Sequence, residues 1–388
     1  MSFDVRSRSA IDICDVDFDT FHTQAVPAHL AERGDIASRA FRVSGLESIV
    51  IAVDGNAFTW RLDPTGALEV VPGDEGRARA DLDPAWFNDI VNDVRSTVAL
   101  MIANEPVMTR GHITHLIAWE PVVRALLDGR AAFEHGLVGF VDRDGGSLDL
   151  DRSFALDDDA AEMSHFLAQA GFLHVRGVFT TEEMDELSTE IDLWRARVSP
   201  DDERAWMATV GDERVCVRVS GVGHQVEFPL AKRLAAIAAV AGGEHTFSGS
   251  DLLVKPVGVS EGISDLPWHK DCSLGMHSYK CCSITCGVSV TPSGSDNGQL
   301  GVVAGSHRVN MPLMDLSDAM DLPLVYLSTQ RGDVTAHLSC TLHCSTPPLH
   351  SERRVTYSSF TLPGDTAELD DKIKNVRIQA ARETFAPT

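Results

Sequence analysis

The chain has 388 residues, and at about 150 residues per domain this length favours two domains. Its formal net charge of −24 would repel a phosphate backbone, so we expect no nucleic-acid partner. The first thirty residues carry no signal-like apolar run, and no stretch is long enough for a membrane span. With eight scattered cysteines that read as reduced thiols, these features predict a cytoplasmic protein.

The first 140 residues predict a small α/β domain. Alternating apolar segments separated by Asp-Gly-Asn and Pro-Thr-Gly indicate a hairpin and a third strand, and helical spacing follows. The expected strands occupy residues 46–53, 57–62 and 67–71, and the expected helices begin near residues 83, 96 and 115.

Residues 141–160 are rich in Asp, Gly and Ser and predict an acidic linker. A second domain is expected over residues 161–388. It begins with a helix that Gly171 ends, a strand, and a helix opened by a capping box of Thr180 and Glu183. Short β segments and one helix near 229–241 follow, so we predict an α+β protein whose second domain is a jelly-roll barrel, a double-stranded β-helix with flanking helices.

A histidine and a carboxylate lie two positions apart in the segment PWHKD, as His269 and Asp271. On an extended strand this spacing points both side chains to one face, where they can share a metal ion. His343, in the strand-like segment HLSCTLHCS, can supply a third ligand. Two histidines and one carboxylate form a facial triad that leaves coordination positions open, as an iron that binds a chelating cosubstrate and oxygen requires.

Two other histidines remain candidates for the third ligand on spacing alone, His337 and His350. A zinc site is the other open interpretation, because several cysteines lie near His343, although their spacing matches no paired CxxC motif. The cysteines concerned are Cys281, Cys282, Cys286, Cys340 and Cys344.

A cosubstrate site is expected downstream of His343. Ser345 and Arg354 supply a hydroxyl and a guanidinium, and an arginine fork suits the distal carboxylate of 2-oxoglutarate. On a strand that begins at Arg353, the side chain of Arg354 shares a face with those of Thr356 and Ser358, and we expect this face to line the barrel. The alternative is a surface arginine on an edge strand.

At this point the chain resembles the phytanoyl-CoA dioxygenase family of Fe(II)/2-oxoglutarate oxygenases over residues 160–365. Five blocks carry the resemblance in the family's order: AGFLHVRGVFTTEEMDEL, DLLVKPVG with PWHKD, DNGQLGVVAGSHR, RGDVTAHLSCTLHCSTPP and SERRVTYSSF.

The resemblance implies that His269, Asp271 and His343 bind Fe(II). It also implies that the arginine eleven positions after the distal histidine, Arg354, binds 2-oxoglutarate, with Ser345 and Lys255 beside it. The implied reaction consumes O2 and 2-oxoglutarate, releases succinate and CO2, and oxidises an aliphatic C–H of a small-molecule substrate, with hydroxylation as the favoured outcome. Ala304 and Cys344 depart from the family pattern, so no substrate is carried over; an apolar molecule or an acyl thioester both remain open, as does the oligomeric state.

Residues 36–135 are similar to sterol carrier protein domains, in segments such as IVIAVDGNAFTWRLDPTGALEVV. This similarity implies an apolar tunnel, and an ordinary α/β accessory or dimerisation domain is an equally open interpretation. The alternative function is therefore a non-catalytic lipid or small-molecule carrier whose barrel is inert.

Overall fold

The computed structural model describes residues 14–93, 95–102, 107–202, 204–222, 230–242, 245–261, 266–273, 283–311 and 321–361. Two large hydrophobic cores lie within them, one built from residues 18–132 and the other from residues 148–360. The adjacent cysteines at 281–282 lie outside the described residues. No helix in the described part of the chain is long and apolar enough to cross a membrane.

The α-helices in the described ranges are α1 (Phe18–Thr20), α2 (Val26–Val43), α3 (Pro84–Val91), α4 (Thr97–Ile102), α5 (Ile113–Asp128), α6 (Ala160–Ala170), α7 (Thr181–Arg197) and α8 (Leu230–Ala239). A π-helical turn (Phe21–Ala25) joins α1 to α2, and 3-10 turns occupy Asp271–Ser273 and Ser306–Arg308.

The strands are β1 (Ser48–Val53), β2 (Asn56–Leu62), β3 (Leu68–Pro72), β4 (Ala78–Asp81), β5 (Met108–Arg110), β6 (Phe172–Val175), β7 (Ala205–Val210), β8 (Glu213–Val219), β9 (Thr246–Lys255), β10 (Val259–Glu261), β11 (Leu266–His269), β12 (Ser283–Ser289), β13 (Leu300–Val303), β14 (Leu324–Leu327), β15 (Val334–Leu338), β16 (His343–Ser345) and β17 (Arg353–Thr361).

The first unit is a five-stranded sheet, in the order β3-β2-β1-β4-β5, covered by helices. All of β1 is buried, which explains its continuous apolar sequence SIVIAV at the centre of the sheet. The predicted hairpin is confirmed: Asp54 and Gly55 both have positive φ, as a tight turn between twisted antiparallel strands requires. The helices predicted near 83, 96 and 115 are α3, α4 and α5, whereas α2 was not predicted.

The second unit contains two antiparallel sheets. The larger has the order β10-β7-β8-β9-β17-β12-β15-β6, and the smaller has the order β11-β16-β13-β14. Side chains of both sheets share one core, such as Val288 and Val334 of the larger sheet and Val302 of the smaller.

The predicted double-sheet jelly-roll is supported by these two sheets, and the described strands do not close into a barrel. The strands of the smaller sheet have only three or four residues each and pair with one another, so they do not complete the ladder of the larger sheet.

The acidic stretch 141–160, predicted to be a linker, contains no helix or strand before α6 begins. It is nevertheless packed on the second unit. Leu148 and Phe154 are buried in its core, and the backbone of Phe154 exchanges hydrogen bonds of 2.8 and 2.7 Å with His174 and Arg176 at the edge of the larger sheet. This stretch therefore covers a sheet edge.

Helices α6 and α7 begin and end as their sequences predict. Gly171 ends α6 with φ +86°, and Thr180 and Glu183 form the capping box that opens α7. Asp333 then ties the loop before α7 to the turn before β15, since its carboxylate accepts backbone hydrogen bonds from Gly177 (2.8 Å) and Gln330 (2.7 Å). This connection fixes where β15 starts.

Gly332 in that turn should be sensitive to any side chain. It has φ +85°, and a Cβ there would lie 2.1 Å from the carbonyl oxygen of Phe179. Gly258 is the matched control, because it has φ +76° but nothing within 4 Å. We expect Gly258→Ala to lower the free energy of unfolding by about 1 to 2 kcal/mol from the backbone conformation alone. Gly332→Ala should lower it by about 1 to 3 kcal/mol more. Equal losses in urea denaturation would contradict the predicted clash.

Candidate metal centre

Two short strands and the turn after one of them hold the three predicted ligands. His269 ends β11 and lies opposite His343, the first residue of β16, in the antiparallel register. Their ring centroids are 4.3 Å apart. Asp271 opens the 3-10 turn immediately after β11 and not the strand itself, but its carboxylate still lies beside both rings.

The three side chains are close enough to bind one ion. Oδ1 of Asp271 lies 3.6 Å from Nε2 of His269 and 3.6 Å from Nε2 of His343. The three candidate ligand atoms all lie within 4.8 Å of one another, and no other group of histidine, cysteine or acidic side chains in the described residues has this spacing. Two imidazoles and one carboxylate are the donor set of a facial triad with open positions.

Burial and mutual contacts set the ionisation of the site. Burial alone would raise the pKa of Asp271, but His343, His269 and His337 around it hold this pKa well below its usual value. Burial, together with His337 and His269, holds the pKa of His343 well below its usual value. An ionised carboxylate and a neutral imidazole are the forms that bind a metal.

A backbone contact orients His343. Its Nδ1 lies 2.9 Å from the carbonyl oxygen of Thr341 and donates to it, which leaves Nε2 as the free nitrogen that faces Asp271. Imidazole ligands are commonly held in this way by a backbone carbonyl.

The two other histidines considered as third ligand have different positions. His350 is exposed in the loop before β17 and is not part of the cleft wall. His337 is buried on β15, and its Nε2 lies 3.4 Å from Oδ2 of Asp271, the carboxylate oxygen that faces away from the other two histidines. The hydroxyl of Thr285 donates to the same oxygen over 3.2 Å.

The cysteines that suggested zinc do not form a metal site within the described residues. Cys340 is disulfide-bonded, so the expectation of reduced thiols is wrong at this residue. Its sulfur lies 3.8 Å from that of Cys272, and burial raises the pKa of Cys286 to about 12. A thiol with such a pKa stays protonated and is a poor metal ligand near neutral pH.

One wall of the same cleft carries two buried cationic side chains, Lys255 on β9 and Arg353 on β17. They are direct cross-strand partners, so they share a face of the larger sheet. The hydroxyl of Ser345 accepts from Lys255 Nζ (2.7 Å) and from Arg353 Nη1 (3.1 Å). Lys255 and Ser345 line the cleft itself, and Arg353 lies behind Ser345 and Tyr357.

Arg354, the predicted anchor of the cosubstrate, does not reach the cleft. Its guanidinium forms ion pairs with Glu352 (2.7 Å) and with Asp192 of α7 (2.8 Å), and it also contacts Ser188 (2.9 Å). The predicted face of β17 is therefore wrong. The cleft is lined by Tyr357 and Ser359, the face that Arg353 shares, whereas Arg354 points to the opposite face and packs on α7.

The rim of the cleft carries an aromatic and charged group. The guanidinium carbon of Arg218 lies 4.5 Å from the ring centre of Trp206, and Arg218 also forms an ion pair with Asp251. The cleft and the open solvent at its mouth together make up about 880 Å³ of space free of protein atoms. None of these three rim residues is predicted from the sequence.

Residues 167–355 match the family model described as Phytanoyl-CoA dioxygenase (PhyH). This part of the chain belongs to the phytanoyl-CoA dioxygenase family. The matched segment includes the predicted metal triad and both cationic residues of the cleft wall. The match supports an oxygenase-type enzyme and implies a cupin-like jelly-roll fold for this segment. No curated protein matches the chain.

Several solved structures are similar to part of the chain. AviO1 from Streptomyces viridochromogenes Tue57 is 22% identical, with a TM-score of 0.42 over 53% of this chain and 96% of that one. SnoN, a non-heme alpha ketoglutarate dependent epimerase from nogalamycin biosynthesis, is 22% identical, with a TM-score of 0.44 over 55% and 89%. EctD from S. alaskensis, solved with 2-oxoglutarate and 5-hydroxyectoine, is 18% identical, with a TM-score of 0.45 over 60% and 86%. The family assignment rests on the sequence match.

Cysteine labelling tests whether Cys286 stays a protonated, unreactive thiol. Because this thiol is buried with its pKa raised to about 12, we expect iodoacetamide at pH 8 to modify it at least about 100-fold more slowly than the exposed Cys14. Mass spectrometry of the native protein measures both rates, and unfolded protein serves as the control in which both react. Comparable rates in the native protein would contradict this account of Cys286.

Proposed function

We propose that the chain is a non-haem Fe(II)- and 2-oxoglutarate-dependent dioxygenase that oxidises, most simply by hydroxylation, an aliphatic C–H of a small molecule. The observation that carries this proposal is that the metal triad and a buried cationic wall share one cleft. The proposed metal ligands are His269, Asp271 and His343. A carrier protein with an inert barrel would need neither feature.

The cationic wall supports a dicarboxylate cosubstrate. Arg353 is 2% exposed, its Nε has no hydrogen-bond partner, and none of the acidic side chains in the described ranges pairs with it. A buried guanidinium that contacts only neutral oxygens is unfavourable, and so is a like charge directly across the strand pair, as at Lys255. A carboxylate in the cleft beside Lys255 and Ser345, with Arg353 behind them, would relieve both.

The chain would hold 2-oxoglutarate at both ends. Its 2-oxo acid group would chelate the iron, and the far carboxylate would meet Lys255 and Ser345, with Arg353 behind them. When bound, the iron would activate O2, which oxidises 2-oxoglutarate to succinate and CO2 and the substrate C–H by two electrons each. The buried histidines exclude water from the metal, and the remaining cleft out to Trp206 receives the substrate. Leu253 and Val217 in this part of the wall favour a substrate with an apolar portion.

Alanine variants of the triad test the metal site. His269→Ala, Asp271→Ala and His343→Ala should each abolish iron-dependent formation of succinate from 2-oxoglutarate, which can be measured even when no substrate is present. His350→Ala is the control, because this exposed histidine is not part of the cleft wall, and it should retain the wild-type rate. A fully active His343→Ala protein would rule out the proposed ligand set.

The adjacent arginines give a matched pair for the cosubstrate site. Arg353→Ala should weaken binding of 2-oxoglutarate to the iron-loaded protein by about 2 to 5 kcal/mol, because the buried positive charge behind Ser345 that attracts the far carboxylate is lost. Arg354→Ala should leave this affinity unchanged, since Arg354 contacts Asp192 and Glu352 outside the cleft. Isothermal titration calorimetry measures both affinities. The reverse result would restore Arg354 as the anchor.

A further inference from the structure

His337 lies at the metal centre, yet the proposed reaction gives it no role. It is 2% exposed, and neither ring nitrogen has a hydrogen-bond partner within the described part of the chain. Its closest polar contact there is Oδ2 of Asp271, 3.4 Å from Nε2. Hydrogen bonds of this kind are often long in the unliganded form of an enzyme and tighten on binding.

The two oxygens of Asp271 have different surroundings. Oδ1 lies 3.6 Å from Nε2 of both His269 and His343 and so points to the metal position. Oδ2 faces the imidazole of His337 and the hydroxyl of Thr285, at 3.4 and 3.2 Å. One oxygen is therefore directed to the metal and the other to two potential hydrogen-bond donors.

Strand pairing explains why these two donors meet the same oxygen. Thr285 of β12 and His337 of β15 are direct antiparallel partners, so their side chains lie side by side on one face. On its other side His337 pairs with Phe172 of β6. The donors are consequently carried by central strands of the larger sheet, whereas Asp271 is carried by a turn beyond the end of β11.

We propose that His337 is a positioning residue for the metal site: together with Thr285 it holds Oδ2 of Asp271, so that the carboxylate binds the ion through Oδ1 alone. A carboxylate can bind through one oxygen or through both. Single-oxygen binding keeps free a coordination position that the cosubstrate and oxygen need. This inference rests on the proposed metal site, and it makes His337 a hydrogen-bond donor and not a fourth ligand.

The test is binding of Co(II) alone to the metal-free full-length protein, followed by calorimetry and by the visible absorption of the bound ion. His337→Leu, which removes the donor, should weaken Co(II) binding about 10- to 100-fold, the usual effect of losing such a supporting contact. His337→Gln places an amide N–H in reach of Oδ2 and should restore the affinity to within about threefold of wild type.

His307→Leu is the matched control. His307 is also buried, but its Nε2 meets the carbonyl oxygen of Ala168 (3.0 Å), and it is not part of the cleft wall, so Co(II) affinity should not change. If His337→Leu does not fold, as judged by circular dichroism, Thr285→Val takes its place, because it removes the other donor to Oδ2 and should weaken binding several-fold.

Four results would overturn the inference. His337→Leu could bind Co(II) as tightly as wild type, or His337→Gln could fail as badly as His337→Leu. Binding could also be lost as completely as in His343→Ala, which would make His337 a ligand. Where Thr285→Val is used instead, an unchanged affinity for Co(II) would also overturn the inference. Failure of the wild-type protein itself to bind Co(II) would instead overturn the proposed function, so the two failures can be distinguished.

Discussion

The antiparallel pairing of β11 with β16 is the constraint on which the site depends. This register sets His269 opposite His343, and the turn that follows β11 brings Asp271 between them. β16 also pairs with β13, where Val302 lies opposite His343, so the distal histidine is fixed from both sides. A one-residue slip in a strand moves every side chain to the other face, and here it would separate the ligands.

The charge of the cleft contrasts with that of the whole chain. The chain carries a net charge of −24, but Lys255 lies in the wall beside the triad and Arg353 lies directly behind it, both at most 4% exposed. Buried cations are unfavourable unless an anion or good hydrogen bonds compensate them. In our proposal the dicarboxylate cosubstrate compensates the charge of Arg353, so the cleft of the free protein is already organised for an anion.

Local sequence signals predicted much of the fold. The Asp54-Gly55 turn, the capping box at Thr180 and the stop at Gly171 each depend on a few neighbouring residues, and the structure has all three. Helix α2 was missed because its buried face uses small residues such as Ala37 and Ala40, which give a weak apolar period. The sequence also could not show whether the strands close into a barrel, because closure depends on pairing between strands that are distant in the chain.

In the candidate site, too, the local features were predicted from the sequence and those that depend on strand pairing were not. The HxD spacing and the distal histidine are readable along the chain, and the structure brings them together. The choice between Arg353 and Arg354 is a choice of strand face, and it follows only from the pairing of β17 with β9, which sets Arg353 opposite Lys255. Asp251 lies four positions before Lys255 on β9, so the alternation of a strand puts both side chains on the same face. Once Lys255 is placed in the cleft, Asp251 is therefore expected there too, as the structure has it.

The central claim is that one cleft assembles Fe(II) with 2-oxoglutarate. The most direct measurement is an anaerobic titration of the metal-free protein with Fe(II) and then 2-oxoglutarate, followed by visible absorption, because a 2-oxo acid chelated to Fe(II) gives a charge-transfer band that neither component gives alone. We expect this band to appear with one equivalent of each, and to be absent in His343→Ala. A wild-type protein that binds both components without producing the band would contradict the account.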